Sequence, residues 1–147
     1  MTDPGLIHFY SYVTGVSLEL PVGFEFAGED DASATYVDRV DDGPITLDTP
    51  VVRIRVVGEI ERDAGPDAVR ELADGFAAVD RETISRQERE IDGSPAVTVV
   101  SRDAGRVLHQ TVVADDNRLL SIIAAAPGDD LLTRFDAAVE SIRFIAL

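Results

Sequence analysis

The chain has 147 residues, a length at which one domain buries roughly 70% of the surface its unfolded form exposes. With 45% apolar and 28% charged residues, it sits among globular rather than disordered sequences. Its thirteen basic residues are all arginine against 28 acidic ones, and the resulting charge of −15 repels phosphate backbones and anionic lipid, which argues against a nucleic-acid partner and against docking on a membrane. Cysteine is absent, so disulfides, thiolate nucleophiles, iron–sulfur ligation and thiolate zinc sites are excluded.

The elements, taken in chain order, begin with the aromatic and β-branched stretch Leu6 to Val13 and the alternating Val16 to Leu20, two short strands broken by Pro21 and Gly23. Gly28 to Ala32 reads as an acidic loop, Thr35 to Val40 as a strand anchored by Tyr36, and Asp41, Asp42, Gly43 and Pro44 as a turn. In Val51 to Val57 the residues Val52, Ile54 and Val56 share one face and Arg53 and Arg55 the other, so one side of this strand is wet. Between Ala64 and Val79 the apolar period changes to about 3.6, with Val69, Leu72, Ala73, Phe76 and Val79 on one helical face. Pro66 suits the first turn of that helix, where its missing N–H costs nothing.

From Thr83 onward four strands follow, joined by Asp92-Gly93, by Asp103-Ala104-Gly105 and by Asp115-Asp116-Asn117: Thr83 to Ile91, Ala96 to Arg102, Arg106 to Ala114 and Leu119 to Ala126. Asp129 is placed to cap a last helix whose apolar positions are Leu132, Phe135, Val139 and Ile142. This helix is expected on the same sheet face as the first, because the outward strand positions are read as polar. The helix residues Val69, Leu72, Phe76, Phe135, Val139 and Ile142 are expected to build the core.

The opening MTDPGLIHFYSYVTG has no basic segment followed by a long apolar one. No apolar run approaches the roughly 20 residues of a membrane helix, the longest candidate being Leu119 to Pro127. The expectation is a cytoplasmic chain with no membrane insertion, one domain over residues 1–147.

Chemistry is sparse. Nucleophilic catalysis needs a nucleophile beside an oriented base, and the two imidazoles, His8 and His109, both fall in predicted strands. His109 shares a side with Val107, Thr111 and Val113, the setting of a partly buried sheet residue. No Gly-x-Ser-x-Gly turn exists. The acidic groups Glu29-Asp30-Asp31, Asp41-Asp42, Asp115-Asp116 and Asp129-Asp130 coincide with turns or a helix start, where Asp is favoured for its local hydrogen bonds rather than for metal. The expectation is no enzyme, no cofactor and no metal. The arginines Arg53, Arg55, Arg86, Arg89, Arg102 and Arg106 cluster on strands or their ends. They read either as cross-strand ion pairs with Glu88, Glu90 and neighbouring acids or as a carboxylate-recognising patch. Arg53, Arg55, Arg86, Arg89 and His109 are the candidate interaction surface.

Three segments carry a family resemblance: SLELPVGFEF from Ser17 to Phe26, the middle helix followed by a meander containing IDGSPAVTVV from Ile91 to Val100, and FDAAVESIRF from Phe135 to Phe144. With this element order the chain resembles the PsbP-like fold. Proteins of that fold include a thylakoid subunit of photosystem II, a Ran-binding nuclear import factor, actinobacterial lipoproteins and type VI secretion chaperones. The resemblance implies an α+β architecture in which a strongly twisted antiparallel sheet of about six or seven strands carries two helices. It also implies a non-catalytic protein-binding, assembly or chaperone-like role, and it transfers no site residues. Two alternatives stay open, a small-molecule module or weak hydrolase with a pocket between sheet and helices, and a structural homodimer paired through edge strands.

Overall fold

The computed structural model describes residues 5–38, 49–77 and 82–145. Ten strands and two helices follow in the order β1 (Leu6–Ser11), β2 (Val16–Pro21), β3 (Phe24–Glu29), β4 (Ser33–Asp38), β5 (Val51–Glu59), α1 (Gly65–Ala77), β6 (Glu82–Ile91), β7 (Ser94–Asp103), β8 (Arg106–Asp115), β9 (Arg118–Ala126), α2 (Leu132–Glu140) and β10 (Arg143–Phe144). Seven strands form a large sheet in the order β3-β4-β5-β9-β8-β7-β6, and three form a small sheet in the order β1-β2-β10. Every strand pairing in both sheets is antiparallel. The expected α+β sheet with two helices is present, and the small sheet is an addition to it. Among the described residues no helix is long and apolar enough to cross a membrane.

The meander β6 to β9 arises from turn chemistry. Asp92 and Gly93 have φ of 49° and 80°, and Ala104 and Gly105 have 51° and 81°. These are the left-handed values that two-residue hairpins need to match strand twist. The glycines take them without cost, whereas Ala104 does not.

The large sheet is buried on both faces. Residues 97, 99, 112, 114 and 119 pack with Val69 and Ala73 of α1, and Leu72 and Phe76 lie against the rim of this cluster. The opposite parity, represented by Ala96, Val113, Leu120, Ile122 and Ala124, packs with Phe135, Ala138, Val139 and Ile142 at α2 and with Val16, Leu18 and Leu20 of β2. The helices therefore lie on opposite faces of the sheet, not on one face as the sequence suggested. Polar outward positions hold for β5 and β6, but β7, β8 and β9 are largely buried at both parities, the pattern of strands covered twice.

Three further expectations change. Phe24–Glu29 is a strand that the sequence did not indicate, and it takes in Gly28 and Glu29, the start of the expected Gly28–Ala32 loop; Gly23, at φ 114°, carries the chain from the small sheet to the large one. A Cβ there would lie 2.7 Å from Asp38 Oδ1. Asp129 opens a single 3-10 turn rather than capping α2, which starts at Leu132 with no side-chain cap. The expected Asp41–Pro44 turn, and Val40 and Val79, lie outside the described residues.

Two ties hold the layers in place. Arg118, in the β8–β9 hairpin, donates from Nη1 to the Thr14 carbonyl at 2.5 Å and reaches Asp115 Oδ2 from Nη2 at 3.2 Å. Gly15 beside it has φ 69°, and a Cβ there would sit 2.8 Å from Arg118 Nη2. At the other end of the small sheet, the Glu19 amide donates to Ser141 Oγ at 2.8 Å, joining β2 to the end of α2.

Candidate functional site

The sheet sorts the five candidate residues by strand parity. Arg53 and Arg55 project from β5 on the α1 side, Arg86 from β6 on the same side, and Arg89 and His109 on the α2 side. Only Arg89 and His109 meet, and they meet at Asp136 of α2. Most of the strand arginines bond to helices or turns rather than across strands. Arg86 Nη1 donates to Asp74 Oδ1 of α1 at 2.6 Å, and Arg102 Nη2 to Asp129 Oδ1 at 3.0 Å. Glu88, expected to pair across the sheet, accepts from Arg70 of α1 at 2.6 Å. Arg53 lies 3.7 Å from Asp30 in the β3–β4 turn, and no ion pair of Arg55 is found among the described residues.

The reason is geometric. An antiparallel strand pair sets like and unlike charges at fixed register, while a helix crossing the sheet edge offers carboxylates at several heights to a long guanidinium.

Arg89 is the most enclosed arginine in the ion pairs of the described residues. Arg89 is 9% exposed, and its Nη1 donates to Asp136 Oδ1 at 2.5 Å while Nη2 donates to Glu140 Oε1 at 3.1 Å. One guanidinium thus spans two carboxylates one helical turn apart, the spacing of i and i+4 on a single face. Burial pushes the Asp136 carboxyl up, but the Arg89 hydrogen bond and charge, helped by His109, outweigh it and hold the group below the ordinary carboxylate value.

His109 is 2% exposed, with Phe135 edge-on at a ring distance of 6.4 Å. Its Nε2 lies 3.5 Å from Asp136 Oδ1, a contact within ion-pair reach. Neither ring nitrogen has a hydrogen-bond partner among the described residues. Burial drives its pKa below the ordinary 6.5; Asp136 pulls the other way and the Arg89 charge adds to the lowering. The imidazole is therefore neutral at neutral pH, with one N–H donor and one lone-pair acceptor. Nearby on the same face, the Thr98 and Thr111 hydroxyls are 2.8 Å apart in a buried hydrogen bond.

Of these groups, Thr98, His109 and Asp136 line a groove of about 330 Å³ between β6, β7, β8 and the start of α2, which also has Ser85, Gln87 and Thr133 among its polar lining and Val100 and Leu132 among its apolar lining. Its lining is mixed, with apolar side chains, neutral hydroxyl, amide and imidazole groups, and the Asp136 carboxylate that pairs with Arg89. A hydrolytic dyad would need a hydroxyl on the imidazole, and no hydroxyl among the described residues hydrogen-bonds to either nitrogen. Among the described residues no group of three His, Asp or Glu side chains could hold a metal ion. On the α1 side, Arg53 and Arg55 flank a smaller groove of about 190 Å³ floored by Leu72, Phe76 and Ile123.

Sequence reasoning missed Asp136, Thr98 and Thr111. The two threonines were accessible through register, since they face each other across β7 and β8 at the parity of His109. Asp136 was not, because its meaning depends on which face of the sheet α2 covers.

No protein-family model matches the chain, and no curated protein matches it by sequence. Solved structures do match. LpqN, involved in cell envelope biogenesis of Mycobacterium tuberculosis, superposes with a TM-score of 0.65 at 17% identity, covering 96% of this chain and 91% of LpqN. The cyanobacterial PsbP, CyanoP, from Synechocystis gives 0.57 at 17% identity over 98% of this chain and 95% of its own. A Bacteroides thetaiotaomicron protein gives 0.64 at 12% identity, covering 95% of this chain but 48% of that protein, so the chain spans about half of its length. At such identities the likeness establishes the fold alone, and the fold is PsbP-like.

Proposed function

We propose that this chain is a non-catalytic protein-binding domain of the assembly or chaperone-like kind. The observation that carries the proposal is the PsbP-like architecture, shared over nearly the whole chain with CyanoP and with LpqN, the latter involved in cell envelope biogenesis. An accessory role fits such neighbours, and no hydroxyl among the described residues hydrogen-bonds to the His109 imidazole. The partner is a protein rather than a nucleic acid, since a charge of −15 repels phosphate. The test is affinity capture of the tagged chain in its native host at low and at moderate salt. A stoichiometric partner recovered in both conditions is the expected result, and none in repeated captures overturns the reading.

A second reading, a small-molecule module, is favoured by one observation: a 2%-exposed His109 whose ring nitrogens make no hydrogen bond among the described residues, with Asp136 Oδ1 3.5 Å from Nε2, beside a groove of about 330 Å³. An unsatisfied buried polar group costs about 1–3 kcal/mol, which a ligand supplying a donor and an acceptor would recover. Thermal-shift screening of neutral polar metabolites, with His109→Phe as the control, decides it. A shift in the wild type that is lost in the variant supports this reading, and a flat screen removes it.

A further inference from the structure

We propose that β1 is the contact through which two copies of this chain associate, by antiparallel pairing of one β1 with the other.

The argument starts with charge. Although 28% of all residues are charged, the stretch from Pro4 to Leu18 contains no Asp, Glu, Arg or Lys and is the longest such run in the chain. The structure places it as β1, the end strand of the small sheet, followed by β2. Other sheet edges carry the usual safeguards against strand addition. On β6 these are Glu82, Arg86, Glu88, Arg89 and Glu90 together with a register shift between Thr83 and Ser85. On β3 they are Glu25, Glu29 and a shift between Phe26 and Gly28. The remaining edge, β10, is two residues long. The strand β1 has no charge, no proline and an unbroken register with β2. Around it, Tyr10 and Tyr12 are 60% and 69% exposed and Ile7 is 37% exposed.

The ladder also shows which backbone groups of β1 point away from β2, where no described strand pairs with them. The Val22 amide donates to the Gly5 carbonyl at 2.7 Å, which fixes the phase of the β1–β2 pairing. Hydrogen-bonded and non-bonded pairs alternate along an antiparallel ladder. Ile7:Leu20, Phe9:Leu18 and Ser11:Val16 are then the bonded pairs, and Leu6, His8 and Tyr10 turn their N–H and C=O groups away from β2. Pro21 provides an independent check: it stands opposite Leu6 and has no N–H, as only a non-bonded position allows.

The outward groups are symmetric about His8. Setting His8 of one copy opposite His8 of the other places Leu6 opposite Tyr10 in both directions, so each open donor meets an open acceptor, and Ile7 falls beside Phe9. This is the self-complementarity that a two-fold interface requires. Charge also selects the occupant. Two chains of −15 repel over most of their surfaces, and the uncharged edge is where two copies approach with least repulsion. A basic peptide would find no acidic side chain on β1 itself.

Self-association and the capture of a foreign protein are separate properties, and either can fail alone. Sedimentation velocity on the full chain should show a monomer–dimer equilibrium that strengthens with salt, because the Debye length shrinks from about 30 Å at 0.01 M to about 8 Å at 0.15 M. Amide exchange should slow about tenfold at Leu6, His8 and Tyr10 between dilute and concentrated protein, leaving Ile7 and Phe9 unchanged. His8→Pro removes one outward N–H and no β1–β2 backbone bond, losing the exposed His8 Nδ1–Glu19 Oε1 contact at 3.6 Å, and Tyr10→Glu puts a charge on the edge; each should leave a folded monomer. A monomer at all concentrations in moderate salt overturns the proposal. So does a dimer that salt weakens, one that leaves the three amides unprotected, or one that both variants retain.

Discussion

The two faces of the large sheet are filled with different chemistry. Under α1 the packed cluster holds Val69, Ala73, Val97, Val99 and Val112, with the Arg70–Glu88 and Arg86–Asp74 ion pairs exposed at its edge. Under α2 the aliphatic and aromatic groups surround His109, the Thr98–Thr111 pair and the Arg89–Asp136 contact. One helix is held by burial with exposed ion pairs at its edge, while the other is tethered by a guanidinium that is itself enclosed. The α1 face is packed by aliphatic groups, and its grooves lie at the margins. A face with neutral, unsatisfied and charged groups in a groove retains chemistry that packing did not need.

Substitutions can separate the two. The largest effect is expected of Phe135→Ala, which empties the centre of the α2 side between Phe24 and His109. Chemical denaturation should show a loss of about 3–5 kcal/mol. A smaller loss would mean that the groove already relieves the packing there. Next comes Asp136→Ala, which leaves Arg89 with Glu140 as its carboxylate partner. Removing one member of a buried pair costs about 3–5 kcal/mol. With Asp136 itself 44% exposed, solvent reduces this, and about 2 kcal/mol is expected by the same measurement.

The third effect depends on pH. Because burial lowers the His109 pKa in the folded state, the unfolded chain takes up that proton first as pH falls below the ordinary 6.5. The contribution of His109 is complete above that pH and is lost on acidification down to its folded pKa. Stability measured against pH should therefore fall on the acid side of 6.5, and His109→Gln should flatten that segment. An unchanged slope would assign the acid sensitivity to carboxylates instead. The smallest effect belongs to the α1 edge. Asp74→Ala breaks a 2.6 Å bond to Arg86, but Asp74 is 68% exposed, and about 0.5 kcal/mol or less is expected. A loss there as large as that of Asp136→Ala would erase the contrast between the faces.

Much of the fold was legible because it is encoded locally. Asp92-Gly93 specifies its hairpin through backbone conformation, and Val69, Leu72, Ala73 and Phe76 specify the buried stripe of α1 through their spacing. The relation between the helices was not local. Whether α2 joins α1 or faces it across the sheet depends on strands that carry apolar residues at both parities, and such strands look alike from either side. The same ambiguity concealed the site. Arg89 and His109 were visible as strand residues, but their meeting requires Asp136, which acquires a role only once α2 is placed. Asp129 shows the converse error: its position fits a cap, yet its carboxylate is taken by Arg102.

The small sheet also bears on the order in which the molecule assembles. Strand β2 is flanked by β1, its neighbour in the chain, and by β10, with Ser17 and Arg143 separated by 126 positions. The meander β6 to β9 closes only short hairpins, whereas joining β10 to β2 brings together the farthest described parts of the chain. Contacts of such sequence separation bear the full entropy of loop closure and slow folding. The meander is thus the natural nucleus, and the β2–β10 seam locks last. Because α2 runs into β10 after two residues, the same long-range seam also ties down the end of the helix that bears Asp136.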